Sequence, residues 1–446
     1  MKAPPHLTRS SAVRAALPLV LANAAEPLAG MTDTLVIGAT GDAAELAGVA
    51  LGVTATNLLV YSIYFIRLST TGLVAHAVGA GDRLQAQRVL LRAALLASSL
   101  GVLGLVLGPL LANAALEVLG ASPKGAVPAR AYFLARTLGH PFGFSLFALS
   151  GWLIAHGRTR AVLAQQLVFS GTNIVLDLVF VLGGHQGAAG VATATALAQG
   201  AATVFGAGLV LRSLREQGGW DPRVWDRRAL FEAKAWRNLA AVNFDFVVRT
   251  WGLLAGFTWF TRVGAQAGDV TVAANHVLLQ IISFWAFVLD AYANVVEAAV
   301  GRAFGARSLP LFRRAVRITG ELSLVSGAVF AALTLLGGPH FLEAVIREPE
   351  VAAAARSWLP WCAVVPLLGA PAWLLDGVFV GATASRAMRN ASVASVVIYI
   401  AVDTGLRGVL GPDGIWPALL GYYIARGATL AVAYPRLEAS VGAVAT

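Results

Sequence analysis

The stretch SAVRAALPLVLANAAEPLAGMTDTLVIGATG, residues 11–41, decides how this chain is read. It is apolar and long enough to cross a bilayer, which takes about 20 residues of helix. Yet it carries Pro18, Glu26, Pro27 and Asp33. A carboxylate at the bilayer centre costs about 2.5–3.5 kcal/mol on insertion scales, and acids kept there generally have a task. Each proline removes a backbone donor and loosens the helix around it. A buried acid on a helix that can bend is suited to turning protonation into movement.

Working outward, the chain has 446 residues, 57% of them hydrophobic and 13% charged. A soluble core cannot hide that much apolar surface, so an all-α, multi-pass membrane protein is expected. The opening MKAPPHLTRSSAVR is short and basic with no small-residue cleavage site after it, so no removable signal peptide is expected. The single cysteine, Cys362, rules out an intrachain disulfide. Hydropathy places twelve spanning helices at 12–39, 46–75, 89–116, 129–155, 161–184, 187–211, 238–264, 271–300, 317–346, 356–382, 390–411 and 414–434. Alternate connections hold 23 of the 33 basic residues, seven of them between Arg212 and Arg237. By the positive-inside rule both termini and that loop are cytoplasmic. The net charge of +10 is thereby a matter of topology, and no nucleic-acid partner is expected.

The chain also repeats itself at an offset of 226 residues. Arg88 matches Arg314, Pro123 matches Pro349, Arg130 matches Arg356, Arg160 matches Arg386 and Asp177 matches Asp403. Gly79 and Gly151 likewise match Gly305 and Gly377. Six helices per repeat is an even number, so the halves share one orientation. Two pseudo-symmetric six-helix bundles follow: an N-terminal lobe over 1–211, a cytoplasmic linker over 212–237 and a C-terminal lobe over 238–446. A cleft between them is the expected substrate path.

Pro18 with Asp33 in the first helix and TDTLVIG at its end resemble the multidrug and toxic compound extrusion (MATE) transporters. So do VGAGD after the second helix, NIVLDLVFVLG in the fifth and LLDGVFVGAT in the tenth, and the DinF-like prokaryotic branch is the most similar. The resemblance spans about residues 12–435. It implies a V-shaped, two-lobed exporter of the bacterial inner membrane, expelling amphipathic, often cationic compounds in exchange for protons or sodium. It also implies a cation site inside the N-terminal lobe at Asp33, Asn173, Asp177 and Thr195, with Pro18 as the bending point. In some branches acids of the seventh, eighth and tenth helices serve sodium coupling, which makes Asp245, Asp290 and Asp376 candidates for a second site.

The residues themselves allow that chemistry. Asn173 and Asp177 are four apart and share a helix face; Thr195 lies one hairpin further on. Two carboxylates facing each other in low dielectric share a proton or hold a small cation. The plainer alternative is that Asp177 only accepts hydrogen bonds from neighbouring helices. Its mate Asp403 favours a partly structural role, whereas Trp259 stands where Asp33 would be. Glu26 lines the cleft or an interface between helices, and Pro27 is a second hinge or a static kink. Arg249 is four residues from Asp245 and is expected to pair with it, and Asp376-Gly377 reads as a turn within the tenth helix. Aromatic residues crowd the seventh and eighth helices, Trp259 and Trp285 among them. Most are expected to face lipid or core, and two or three to hold a flat cation.

GAGD at 79–82 is a helix-ending turn and no phosphate loop; HExxH, GxSxG, paired cysteines and His clusters are missing from the sequence. A secondary transporter without cofactor or assured metal site is therefore expected, working as a monomer by alternating access, proton-coupled with sodium as the other possibility. The rivals are a lipid or oligosaccharide flippase, which should line its cleft with more basic residues, and an intramembrane enzyme, against which the repeat weighs.

Overall fold

The computed structural model describes residues 7–119 and 123–442, and every regular element among them is helical. The first half holds α1 (Arg9–Gly38), α2 (Ala43–Ile63), α3 (Phe65–Gly79), α4 (Arg83–Val106), α5 (Gly108–Val118), α6 (Pro123–Thr137), α7 (His140–Ala155), α8 (Thr159–Asp177) and α9 (Gly187–Glu216). The short α10 (Arg227–Leu230) leads into α11 (Ala233–Gln266), α12 (Asp269–Gly305), α13 (Leu309–Val345), α14 (Pro349–Gly381), α15 (Ser385–Leu410) and α16 (Ile415–Ala439).

Among the described residues eight helical runs are long and apolar enough to span a bilayer, or nine counting α6 and α7 as one span bent by 53°. The run Ser385–Gly442 is 58 residues long and contains both α15 and α16. About 20 residues make a crossing, so this run supplies two. Of the helices outside these runs, α1 and α11 are the long ones, at 30 and 34 residues, and carry Asp33 and Asp245. Each of the twelve expected segments is thus helical.

The 226-residue repeat extends to the backbone. Left-handed φ occurs at Gly81 (74°) and Arg307 (50°), at Gly157 (69°) and Thr383 (53°), and at His185 (52°) and Gly411 (60°), three pairs at that offset. Each lies in the turn between two helices. The next residues, Asp82 and Ser308, cap α4 and α13 by accepting from the Gln85 and Leu311 amides at 2.9 and 3.4 Å. Arg307 and Thr383 keep a conformation that suits glycine, so surrounding packing holds these turns where the local preference opposes them.

The halves differ in continuity, which corrects the expectation of single unbroken spans. The segment expected at 46–75 breaks at Tyr64, that at 89–116 breaks at Leu107, and that at 129–155 breaks at Leu138 and Gly139. Beyond Asp177 the helix widens, with the Gly184 amide donating to the Val179 carbonyl five residues back. The counterparts α12, α13 and α14 run unbroken for 37, 37 and 33 residues. Gly108-Pro109 and Gly139-His140-Pro141 start two of the interrupted pieces, where proline lacks a donor and glycine costs helix stability. Proline alone is not decisive, since Pro360, Pro366 and Pro371 lie inside α14.

By packing the chain forms two compact units. The C-terminal unit comprises 1–20, 79–81 and 240–446; the N-terminal unit comprises 21–78 and 82–239. The boundary falls inside α1, between Val20 and Leu21, shortly after Pro18. In the C-terminal unit α14 packs against α12, α13 and α16 around Leu278, Trp358, Leu359, Tyr399 and Trp416. Asp376-Gly377 is plain helix there and no turn; Gly377 lies where a Cβ would run into the Ala293 carbonyl of α12, so only glycine lets the two backbones approach. The N-terminal unit has one core around Val74, Leu90, Trp152 and Leu214, and another around Val36, Ile37, Tyr132, Val181 and Val191. Residues 217–232 are tied down along α4: Arg92 donates to the carbonyls of Leu230 and Ala229 at 3.0 and 2.6 Å, and Gln87 to Gly219 at 3.1 Å. In that loop the Arg223 guanidinium holds the Asp221 carboxyl down at about 2.

Candidate functional site: an acid pair in the N-terminal unit

The second core of the N-terminal unit seats the end of α1 through Val36 and Ile37, and this turns Asp33 inward. Asp33 is 7% exposed and Asp177 0%. Their carboxyl groups lie within hydrogen-bonding contact of each other, and Asn173 contacts both. The Asn173 amide donates to Asp177 Oδ2 at 3.1 Å and to Thr195 Oγ1 at 3.4 Å, while the Thr195 hydroxyl donates to the Val191 carbonyl at 3.0 Å. Ser170, one turn before Asn173, donates to the Ala25 carbonyl at 3.2 Å and ties α8 to α1. The helix widens directly after Asp177, and such π-type turns are frequent at functional sites.

All four expected residues are therefore brought together. Asp33 Oδ1 and Asp177 Oδ1 are buried without a protein hydrogen-bond partner. Two carboxyl groups can hydrogen-bond only when one of them carries a proton. The set of two carboxylates, an amide and a hydroxyl has the chemistry to take up a proton or a small hard cation.

A surrounding polar shell escaped sequence reading in part. Arg136 is buried, acts electrostatically on Asp33, and donates to Gln199 Oε1 at 2.6 Å. Tyr132 contacts Arg136, and buried His140 stacks on Phe144 with ring centroids 5.0 Å apart. An arginine within a spanning segment, as Arg136 is, neutralises a carboxylate or snorkels; the sequence alone does not single out Tyr132, Gln199 or His140. Tyr132 and Arg136 of α6, and Thr195 and Gln199 of α9, are each four apart and so share a helix face, whereas His140 opens α7 beyond the break.

The other candidates are dispersed. Pro18 is buried and Pro27 exposed, and α1 is continuous through both; the Glu26 side chain lies outside the described residues. Asp245 accepts from Ser385 and Arg389, each at 2.8 Å. Arg249 does not pair with Asp245: it reaches across to Asp376 at 2.7 Å, and Arg426 joins it on the same oxygen at 2.6 Å. Trp259 donates to Asp403 at 2.9 Å. Trp285 donates to Thr334 at 2.9 Å and stacks on Phe330, and Asp290 is exposed on α12. Of the crowded aromatics, Phe244, Trp251 and Phe284 are exposed whereas Phe246 and Phe260 are core. Among the described residues no three His, Cys, Asp or Glu gather in one place, so Asp245, Asp290 and Asp376 form no second carboxylate cluster.

The MatE family model matches residues 18–179 and again 247–404, once per half and at close to the repeat's offset. The chain belongs to the MatE family. MatE proteins are transporters, not enzymes. Among MatE relatives, DNA damage-inducible protein F of Escherichia coli is 34% identical over 429 residues, covering 94% of this chain and 91% of that protein. A probable multidrug resistance protein NorM of Acinetobacter baylyi is 26% identical, covering 90% of each. The Vibrio cholerae MATE transporter VcmN in its bent form superposes with a TM-score of 0.89 over 97% of both chains, at 19% identity. That likeness shows the twelve-helix MatE fold.

Proposed function

We propose that this chain is a proton-coupled antiporter that exports amphipathic, often cationic compounds from the bacterial cytoplasm by alternating access. It sits in the inner membrane with both termini and the 212–237 loop cytoplasmic. The relatives named as multidrug resistance proteins support the export role. The observation that carries the coupling is the encounter of Asp33 with Asp177 in a buried setting. The pair takes a proton from outside and loses its charge; α1 then bends near Pro18, close to where it passes from one unit to the other, and bound compound leaves. Release of the proton to the cytoplasm resets the site. A ligand shifts a two-state equilibrium only through its difference in affinity between the states, so affinity for the exported compound falls as the pair becomes protonated.

Proteoliposomes loaded with a fluorescent organic cation, with pH and sodium gradients imposed separately, test this. The pH gradient alone is expected to drive transport, and Asp33→Asn to abolish proton release on addition of substrate. Transport driven only by sodium would reassign the same oxygens to that ion. Unaltered proton release in Asp33→Asn would remove Asp33 from the mechanism.

A further inference from the structure

Inside the C-terminal unit the balance of charge is inverted. Asp376 of α14 receives Arg249 of α11 and Arg426 of α16 on a single carboxylate oxygen, Oδ2, at 2.7 and 2.6 Å. The three side chains are only 17%, 13% and 9% exposed. Arginine stays charged in proteins, so one carboxylate and two guanidinium groups leave a surplus positive charge. Two other acids of this unit, Asp245 and Asp403, are paired with Arg389 and Arg407. Two guanidinium groups converging on one atom repel each other, and surplus charge inside a membrane protein is costly unless another charge meets it.

Beside this triad lies a cavity of about 10 Å³, room for one water-sized particle. Arg249, Asp376, Arg426 and Ser392 form its polar wall, and Leu253 and Met388 part of the apolar one. The fully buried Tyr422 lies 5.8 Å from the Arg426 guanidinium, and its hydroxyl is buried without a partner. We infer that the Arg249–Asp376–Arg426 triad binds a small monovalent anion, chloride by charge, with the neighbouring side chains giving way slightly to admit it. The cavity rejects organic carboxylates as too large, and Leu253 and Met388 favour a weakly hydrated halide. The anion completes the neutralisation that Asp376 begins and holds α11, α14 and α16 at one point. This site is independent of the role proposed for Asp33.

The full-length protein, purified in detergent at fixed sodium concentration, is melted while chloride is replaced stepwise by gluconate. An ion that binds only the native state raises the midpoint as its concentration rises. Chloride and bromide are expected to raise the midpoint of the wild type by several degrees over gluconate. Arg249→Gln and Arg426→Gln, which each leave Asp376 one arginine, are expected to lose that increment. Crystals grown in bromide are expected to show an anomalous peak between Arg249 and Arg426. An equal halide increment in wild type and both variants overturns the assignment, as does bromide diffraction without a peak in this cavity; if neither variant folds, the bromide crystal decides alone.

Discussion

Positions 226 residues apart are used in opposite ways by the two halves. In the N-terminal unit Asp33 faces Asp177, and Arg136 acts on Asp33. In the C-terminal unit the position matching Asp33 is Trp259, whose indole donates to Asp403, the mate of Asp177, at 2.9 Å. Arg407 closes on the same oxygen of Asp403 at 2.9 Å. An acid that faces another acid gains or loses a proton at little cost in contacts, whereas Asp403 is tied down by hydrogen bonds from an indole N–H and a guanidinium. The backbones follow the same division. Around Asp177 and Arg136 the helices are widened or broken, and around Asp376 and Asp403 they run on. Interrupted helices with fewer ladder bonds open more readily, so the half that holds the facing acids is also the half with the more interrupted helices.

The largest expected contrast is between Asp177→Asn and Asp403→Asn. The first should end substrate-driven proton release in proteoliposomes while leaving the unfolding midpoint nearly in place. The second should keep proton release but lose about 1–3 kcal/mol of stability in denaturation, the worth of hydrogen bonds to a buried charge. The opposite pattern would interchange the roles assigned to the two halves. A smaller contrast concerns the matched glycines. Gly377→Ala meets the Ala293 backbone, which cannot yield, and should cost about 1–3 kcal/mol. Gly151→Ala meets first the side chain of Thr70 at 2.8 Å and should cost less in the same thermal melts. Trp259→Phe keeps an aromatic ring but loses the N–H donor and part of the indole's bulk, for about 1–2 kcal/mol, with transport unchanged. Smallest of all, Arg9→Gln removes an exposed pair with Glu321 and should leave the melting midpoint where it was.

Some of this was legible in the chain. Charge alternation and apolar length located the twelve helical segments, and the spacing of four between Asn173 and Asp177 together with the oddity of Asp33 marked the site. Local spacing misled for Arg249, which lies one turn from Asp245 yet reaches across to α14. A long side chain on a packed helix takes the partner that interhelix geometry offers, and nearness in sequence is only one way to be near. Helix breaks were missed for a related reason: proline interrupts at Pro109 and Pro141 but not at Pro366, because neighbouring helices decide whether the lost bond is made good. His140 was missed because it opens a new helix after a break, and a single polar residue there carries no sign of what it faces; Gln199 shows only its spacing from Thr195.

Membership of the membrane class, the doubled architecture and the presence of acids within apolar segments follow from composition and order along the chain, because transfer into lipid is a property of each segment on its own. Which acid meets an acid and which meets an arginine was settled only when helices far apart in sequence packed together, since charge pairing acts over a few ångströms in space and is blind to chain distance.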